Sequence, residues 1–109
     1  MAYDEGLAQT MRDAVAVYGD ITEVRMFGGL CFMHRGNMLC GVHKGGGMAR
    51  VGKANQAQAL KIEGVSPMAF TGRPMGGLVE MTEETVEDDA RRGDVLALAW
   101  QFVSALPPK

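Results

Sequence analysis

Hydrophobic positions recur with helical spacing near the start of the chain. The apolar residues there are separated by steps of four, three, one and three, which places them on one face of an amphipathic helix. They are Leu7, Met11, Ala14, Val15 and Tyr18. Asp4 is suited to cap this helix, and Gly19 is suited to end it because glycine adopts the left-handed backbone conformation.

A second helical stripe lies near the end of the chain. Its members are Val95, Leu96, Ala99, Phe102, Val103 and Leu106. Thr85 and Asp88 resemble a capping box at its start, and Pro107 and Pro108 end it. Gly93 is the position at which this helix can break into two pieces.

The pattern between these helices predicts strands joined by short turns. Residues 23–34 read as one strand with a bulge or sharp bend at Gly28-Gly29. Residues 35–37 tolerate the positive φ of a tight hairpin, so residues 38–43 should return beside the first strand. A turn at 44–47 leads to a third strand at 48–51. Turns this short join only antiparallel strands.

The remaining segments complete an α+β order. Residues 54–62 predict a short helix, and residues 68–70 and 78–82 predict two further strands. The order α-β(3)-α-β(2)-α predicts a two-layer sandwich with a five-stranded antiparallel sheet. Its helices should cover one face of the sheet and leave the other exposed.

Composition fits one domain over residues 1–109, with 47% apolar and 22% charged residues. No apolar run is long enough to span a bilayer and the start is acidic, so we expect a cytoplasmic protein. The net charge is -2, yet residues 22–77 carry seven Arg and Lys against two Glu. We interpret this asymmetry as an ordinary solvated surface.

Four residues of the first predicted hairpin have the right types for a zinc site. Cys31, His34, Cys40 and His43 form a C-x2-H-x5-C-x2-H pattern. Residues three apart along a strand point to opposite faces, so each cysteine should diverge from its histidine. We therefore expect no metal, with buried cysteines and histidines at the rim.

A disulfide between Cys31 and Cys40 depends on the hairpin register. A loop of Arg35 and Gly36 places the cysteines opposite each other. A loop of Gly36 and Asn37 makes them diagonal neighbours with Cα atoms about 7–8 Å apart, too far to bridge easily. Both registers place the two cysteines on the same face of the sheet.

Other catalytic and cofactor motifs do not occur in the sequence. The glycines after Lys44 lie between two predicted strands, whereas phosphate-binding loops open onto a helix. Ser66 and Ser104 lie outside any nucleophile elbow. The acidic residues at 83–89 suit a helix start. We predict no catalytic residue and no cofactor, and the sequence favours a protein that is not an enzyme.

Methionines are frequent, at nine of 109 residues. Met26, Met33, Met38 and Met48 fall in the predicted sheet. Gap filling in the core is the ordinary use of a thioether, and methionine-rich surfaces also serve adaptable binding. We favour the core.

The stretch Arg25 to Val42, read RMFGGLCFMHRGNMLCGV, resembles the TfoX N-terminal domain family. The similarity continues through residues 48–52 and 68–77 and ends at residues 106–109. The resemblance implies an α+β architecture shared with the secretion-chaperone-like fold, and it supplies no established active-site set. Full-length members resemble regulators of natural competence with a second, C-terminal domain. Because this sequence stops at Lys109, we do not expect that role to transfer.

We therefore predict a non-catalytic interaction or regulatory module, linked to transcriptional regulation, that forms a homodimer. It should bind a protein partner through the sheet edge or the loop at 70–77. The candidate binding surface comprises Arg25, Phe27, His34, Phe70, Arg73 and Met75.

Two alternatives are less favoured. The first is a small-ligand or enzymatic site in which Arg25, Arg73 and one histidine recognise an anion. The second is direct DNA binding by a basic face that includes Arg50. The negative net charge and the few aromatic residues beside these arginines make DNA binding the weaker of the two.

Overall fold

The computed structural model describes residues 3–26, 28–70 and 73–109, with side chains for all of these except 69, 70 and 73–75. Within this part the chain forms four α-helices and six strands. In chain order they are α1 (Glu5–Val15), β1 (Ile21–Met26), β2 (Gly29–His34), β3 (Asn37–His43), β4 (Gly46–Arg50), α2 (Lys53–Ala59), β5 (Val65–Phe70), β6 (Arg73–Thr82), α3 (Glu83–Glu87) and α4 (Asp89–Val103). No helix in the described ranges is long and apolar enough to cross a membrane.

The first helix begins where the sequence predicts, but its α-helical part ends at Val15, before the predicted end at Tyr18. The Asp4 carboxylate accepts hydrogen bonds from the backbone N–H groups of Gly6 and Leu7, at 2.7 and 3.1 Å. After α1 the chain continues through a 3-10 turn to Gly19, whose φ of 79° is left-handed. Leu7 and Met11 are buried, so the predicted apolar stripe faces the core.

The last helical segment breaks at Asp88, so the predicted break at Gly93 is wrong. Asp88 has an extended backbone and caps α4, its carboxylate accepting from the Arg91 N–H at 2.9 Å. Thr82 caps α3, its hydroxyl accepting from the Thr85 N–H at 3.2 Å. The predicted capping box at Thr85 is therefore also wrong, because Thr82 takes the capping position.

An antiparallel sheet in the order β1-β2-β3-β4-β6-β5 lies beside the helices. The predicted α+β class is confirmed, but the five-strand count and the α-β(3)-α-β(2)-α order are wrong. The segment read as one bent strand is a hairpin, in which Met26 pairs with Gly29 and Gly28 has a φ of 71°. The sequence could not separate these alternatives, because glycine at positive φ serves both a bulge and a tight turn.

β3 carries one extra residue opposite β2. Phe32 pairs with Cys40 and Met33 pairs with Met38, so Leu39 has no partner across the ladder. Leu39 and Cys40 are both fully buried in the core beneath the helices. The two consecutive side chains therefore lie on the same side of the sheet, as a β-bulge allows.

This bulge separates the two cysteines. His34 pairs with Asn37 across a two-residue loop, which is one of the registers considered, but Cys31 pairs with Gly41 instead of Cys40. Cys31 belongs to an apolar cluster on the far face, whereas Cys40 lies in the core under the helices. The prediction that both cysteines share a face is wrong, because the bulge shifts the alternation of β3 by one residue.

The main core lies between the helices and one face of the sheet. Its largest fully buried members include Met11, Phe32, Leu39, Met81 and Leu96. Burial of each such side chain stabilises the fold by about 1.5–3 kcal/mol.

The last residues of the chain attach to the turn between β2 and β3. The Lys109 backbone N–H donates to the Arg35 carbonyl oxygen at 2.9 Å. The Asn37 side-chain amide donates to the Pro107 carbonyl oxygen, also at 2.9 Å. These contacts hold Lys109 beside the far face of the sheet.

Gly46 of β4 pairs with Thr82 of β6, and its replacement should destabilise the protein. Gly46 has a φ of 151°, and a Cβ there would lie 2.0 Å from the Met81 carbonyl oxygen. Gly46→Ala should lower the free energy of unfolding by about 1–3 kcal/mol or more. Urea unfolding followed by circular dichroism measures the change.

Gly93→Ala is the matched control. Gly93 is exposed in α4, and a Cβ there meets nothing within 4 Å. This substitution should raise the free energy of unfolding by about 0.5–1 kcal/mol, because alanine favours a helix interior. A Gly46→Ala protein as stable as the wild type would contradict the described packing of β4 against β6.

Candidate interaction site

The sheet has a second apolar cluster on the face opposite the helices. Cys31, Met48 and Met68 are buried there. Partly buried apolar side chains surround them, namely Met26, Met33, Met38 and Leu78. These seven residues form a surface that we call the methionine face.

Strand alternation brings these side chains together. Cys31 and Met33 lie one residue away from core positions of β2, and Met33 pairs with Met38 on β3. Gly41 pairs with Met48, and a Cβ on Gly41 would lie 2.8 Å from the terminal methyl of Met48. Gly41 therefore leaves the space that the Met48 side chain fills.

The sheet curls around the methionine face. Met26 of β1 and Leu78 of β6 line the same cavity of about 410 Å³. Three strands separate β1 from β6 in the sheet order, so a flat sheet would hold these residues far apart. The expectation that this face is simply exposed is thus only partly right, because its centre is buried and its rim is half-buried.

Arg50 lies between two cavities. The first is the cavity of about 410 Å³ described above, whose lining also includes Met33, Gly36, Met38, Gly76 and Lys109. The second, of about 380 Å³, is lined by Arg50, Gly52, Lys53, Ala54, Gly76, Gly77 and Phe102. The Arg50 guanidinium carbon lies 5.4 Å from the centroid of the Phe102 ring, which is a cation–π contact.

No carboxylate pairs with Arg50 or Lys53 among the residues that the structure describes. The ion pairs there join Arg12, Arg35, Arg91 and Arg92 to acidic partners. Glu80 pairs with Met48 in the sheet but lines neither cavity. The charged side chains that line the two cavities in the described part of the chain, Arg50, Lys53 and Lys109, are thus all positive.

His34 serves the helix side of the sheet. It is buried, with its Nδ1 atom 3.1 Å from the Gly19 carbonyl oxygen. Its ring meets the edge of Trp100 with centroids 4.5 Å apart, and Trp100 stacks on Tyr18 at 4.6 Å. These contacts fix the end of α1 against β2 and α4, so His34 lies apart from the methionine face.

Each cysteine diverges from its histidine, as predicted from strand alternation. Cys31 lies on the methionine face and His34 on the helix side, whereas Cys40 lies in the main core and His43 follows the core residue Val42. The described ranges contain no group of three or more Cys, His, Asp and Glu residues that could hold a metal ion.

The predicted binding surface is described only in part. Arg25 is exposed on β1, the edge strand. His34 is buried at the opposite end of the β1–β2 hairpin. Phe27 lies outside the described residues.

The other predicted surface residues belong to the β5–β6 hairpin. Phe70 and Arg73 are paired in the sheet, and Met75 lies within β6. The structure does not describe the side chains of these three residues. The predicted surface and the anion cluster of Arg25, Arg73 and a histidine therefore stay predictions.

Sequence reasoning did not place Arg50, Lys53 and Leu78 at the site. Arg50 follows Met48 by two positions in β4, which already predicts a shared face. Its contact with Phe102 depends on how α4 crosses the end of β4, and no local pattern encodes that.

The two cysteines should be unreactive in the folded protein. Burial raises the pKa of Cys31 to about 11 and also raises the pKa of Cys40, so both are thiols at neutral pH. Ellman's reagent at mildly alkaline pH should detect no thiol before denaturation and both afterwards. A fast-reacting thiol in the folded protein, or a missing thiol in denaturant, would contradict this placement.

Comparison with known proteins agrees with the sequence resemblance. Residues 13–103 match the model of the TfoX N-terminal domain family. No curated protein and no solved structure matches the chain. The matched region runs from within α1 to the end of α4 and contains all of the strands described above. The chain therefore belongs to the TfoX N-terminal domain family.

Proposed function

We propose that this protein is a non-catalytic interaction module that works as a homodimer and binds an apolar, acidic segment of a regulatory protein on its methionine face. The observation that supports this most is the methionine-lined cavity with Arg50 at its edge. Family membership alone does not name a partner, so the partner's chemistry is inferred from this surface.

The lining of the cavity suits a protein segment better than a rigid small molecule. Met26, Met33 and Met38 are partly buried and unbranched, so their side chains can adopt several shapes around a bound apolar residue. Apolar contact with a concave, half-buried surface is the usual source of affinity in such grooves.

Charge favours an acidic partner. Arg50 borders both cavities and Lys53 lines the second, and neither pairs with a described carboxylate. Complementary charge adds mainly to selectivity and to the association rate. An acidic segment should thus be preferred over a basic one of equal hydrophobicity.

The candidate nucleophiles favour a role without catalysis. Cys31 and Cys40 are fully buried, and the pKa of each is raised. His34 contacts a backbone carbonyl oxygen and packs on Trp100. These groups serve packing in the described structure, where a catalytic thiol would need a lowered pKa.

A pair of peptides tests the proposed partner chemistry. One labelled amphipathic peptide carries leucines on one helical face and glutamates on the other, and the second carries lysines in place of the glutamates. Fluorescence anisotropy at low salt should show the acidic peptide binding about tenfold more tightly. No binding of either peptide would overturn the proposal, and equal binding of both would remove its charge component.

Met38→Glu and Val17→Glu form a matched pair of variants for this titration. Met38→Glu places a carboxylate within the groove and should weaken the acidic peptide by about tenfold or more. Val17 is 81% exposed in the turn after α1, so Val17→Glu adds the same charge away from the site. The control should bind like the wild type.

A small-anion site is the second candidate, and the cavity lined by both Arg50 and Lys53 favours it. Inorganic phosphate is a suitable probe. If this reading is right, phosphate should shift the NMR signals of Gly52, Lys53 and Gly77 in a saturable way, and Lys53→Ala should weaken that binding. Unchanged signals at millimolar phosphate would dismiss it.

A further inference from the structure

The two edges of the sheet differ in their readiness to accept another strand. The β5 edge contains Pro67 and a register shift between Pro67 and Ala69. Both features disfavour pairing with a further strand. β1 has neither a proline nor a register shift. Its residues 22–25 are exposed, and they include Val24, a large apolar residue with 41% of its surface exposed. Strand addition is therefore expected at β1.

Hairpin geometry fixes which backbone groups of β1 face outward. Met26 and Gly29 form the closing pair of a hairpin with two residues between them, and such a pair exchanges hydrogen bonds. Because hydrogen bonding alternates along a strand, the backbone N–H and C=O groups of Val24 are also directed toward β2. The backbone N–H and C=O groups of Glu23 and Arg25 are directed away from the sheet.

The β2–β3 hairpin gives the same assignment. His34 and Asn37 form its closing pair, so His34 directs its backbone groups toward β3. Alternation along β2 then turns Met33 and Cys31 toward β1. Cys31 is the residue that pairs with Val24, in agreement with the first hairpin.

We propose that two copies of this chain pair through β1, antiparallel, about a two-fold axis at Val24. Each Val24 then lies opposite the Val24 of the second copy, and each Glu23 lies opposite an Arg25. Thr22 lies opposite Met26. This inference rests on the homodimer of the proposed function and supplies its interface.

Charge favours this register over the two neighbouring ones. Hydrogen bonding requires outward-facing residues to meet each other, which places the two-fold axis on a residue of β1. An axis at Glu23 sets two glutamates opposite each other, and an axis at Arg25 does the same with two arginines. Like charges directly opposite destabilise a strand pair. The axis at Val24 instead forms two Glu23–Arg25 pairs.

The surroundings of Glu23 fit this arrangement. Its carboxylate already pairs with Arg12 of α1 at 2.5 Å, and both side chains keep about a third of their surface exposed, at 36% and 38%. The Arg25 of a second copy would approach the same carboxylate from the open edge. Arg25 itself has no ion-pair partner among the described residues.

Disulfide trapping tests the register. Cys31 is the β2 neighbour of Val24, so both test variants carry Cys31→Ala to prevent a bond within one chain. Val24→Cys should place two Cα atoms about 4.5 Å apart across the dimer, within disulfide range. Thr22→Cys is the control, since it is exposed on the same face but lies about 13 Å from its copy.

In a glutathione redox buffer, Val24→Cys should yield at least several-fold more covalent dimer than Thr22→Cys. Circular dichroism should show both variants folded. Equal yields, or no covalent dimer from folded Val24→Cys, would overturn the proposed register.

Charge reversal tests the interface without a cysteine. Arg25→Glu sets like charges opposite each other twice, so the dimer dissociation constant from light scattering should rise by about tenfold. Lys61→Glu makes the same charge change at an exposed position off the edge and should leave the constant unchanged.

The outcomes separate the two proposals. A wild-type dimer that survives Arg25→Glu and gives no Val24 disulfide would reject this interface while the homodimer stands. A wild-type monomer at all concentrations would reject the homodimer as well. Peptide binding to the methionine face is measured independently of both results.

Discussion

One extra residue in β3 determines which side chains reach each face of the sheet. With Leu39 unpaired, Leu39, Cys40 and Val42 all lie in the core under the helices. Regular alternation would instead turn Cys40 and Val42 away from the helices and bring Gly41 into the core. Burying a residue such as Val42 stabilises by about 1.5–3 kcal/mol, which exceeds the roughly 1 kcal/mol of a ladder hydrogen bond lost at a bulge.

The same displacement shapes the opposite face. Gly41 comes to lie against Met48, whose side chain occupies the space above the glycine, and the sheet curls until β1 and β6 border one cavity. One face thus packs against the helices in a core that includes Phe32, Leu39 and Val42. The other gathers adaptable thioethers beside Arg50, at the surface that we propose as the binding site for a partner.

Local chemistry was enough to predict several features. The Asp4 cap of α1, the turns before β3 and β4 and the antiparallel order depend on nearby residues, and these features follow from the sequence. The extra strand and the bulge were missed because Gly28 suits either a bend or a reversal, and because nothing near Leu39 marks it as the unpaired residue. Thr82 and Thr85 are equally able to cap a helix. The contact between Arg50 and Phe102 joins residues far apart in the chain, so no spacing could reveal it.

Methionine methyl contacts give the most direct measurement of the two faces. In a nuclear Overhauser spectrum of protein labelled at the methionine methyl groups, Met33 should show contacts to Met38 and to other members of the methionine face. Met11 and Met81 lie in the main core and should show contacts to α3 and α4 instead. Contacts of Met33 or Met38 with Met81, in place of those within the methionine face, would contradict the assignment of side chains that the bulge produces.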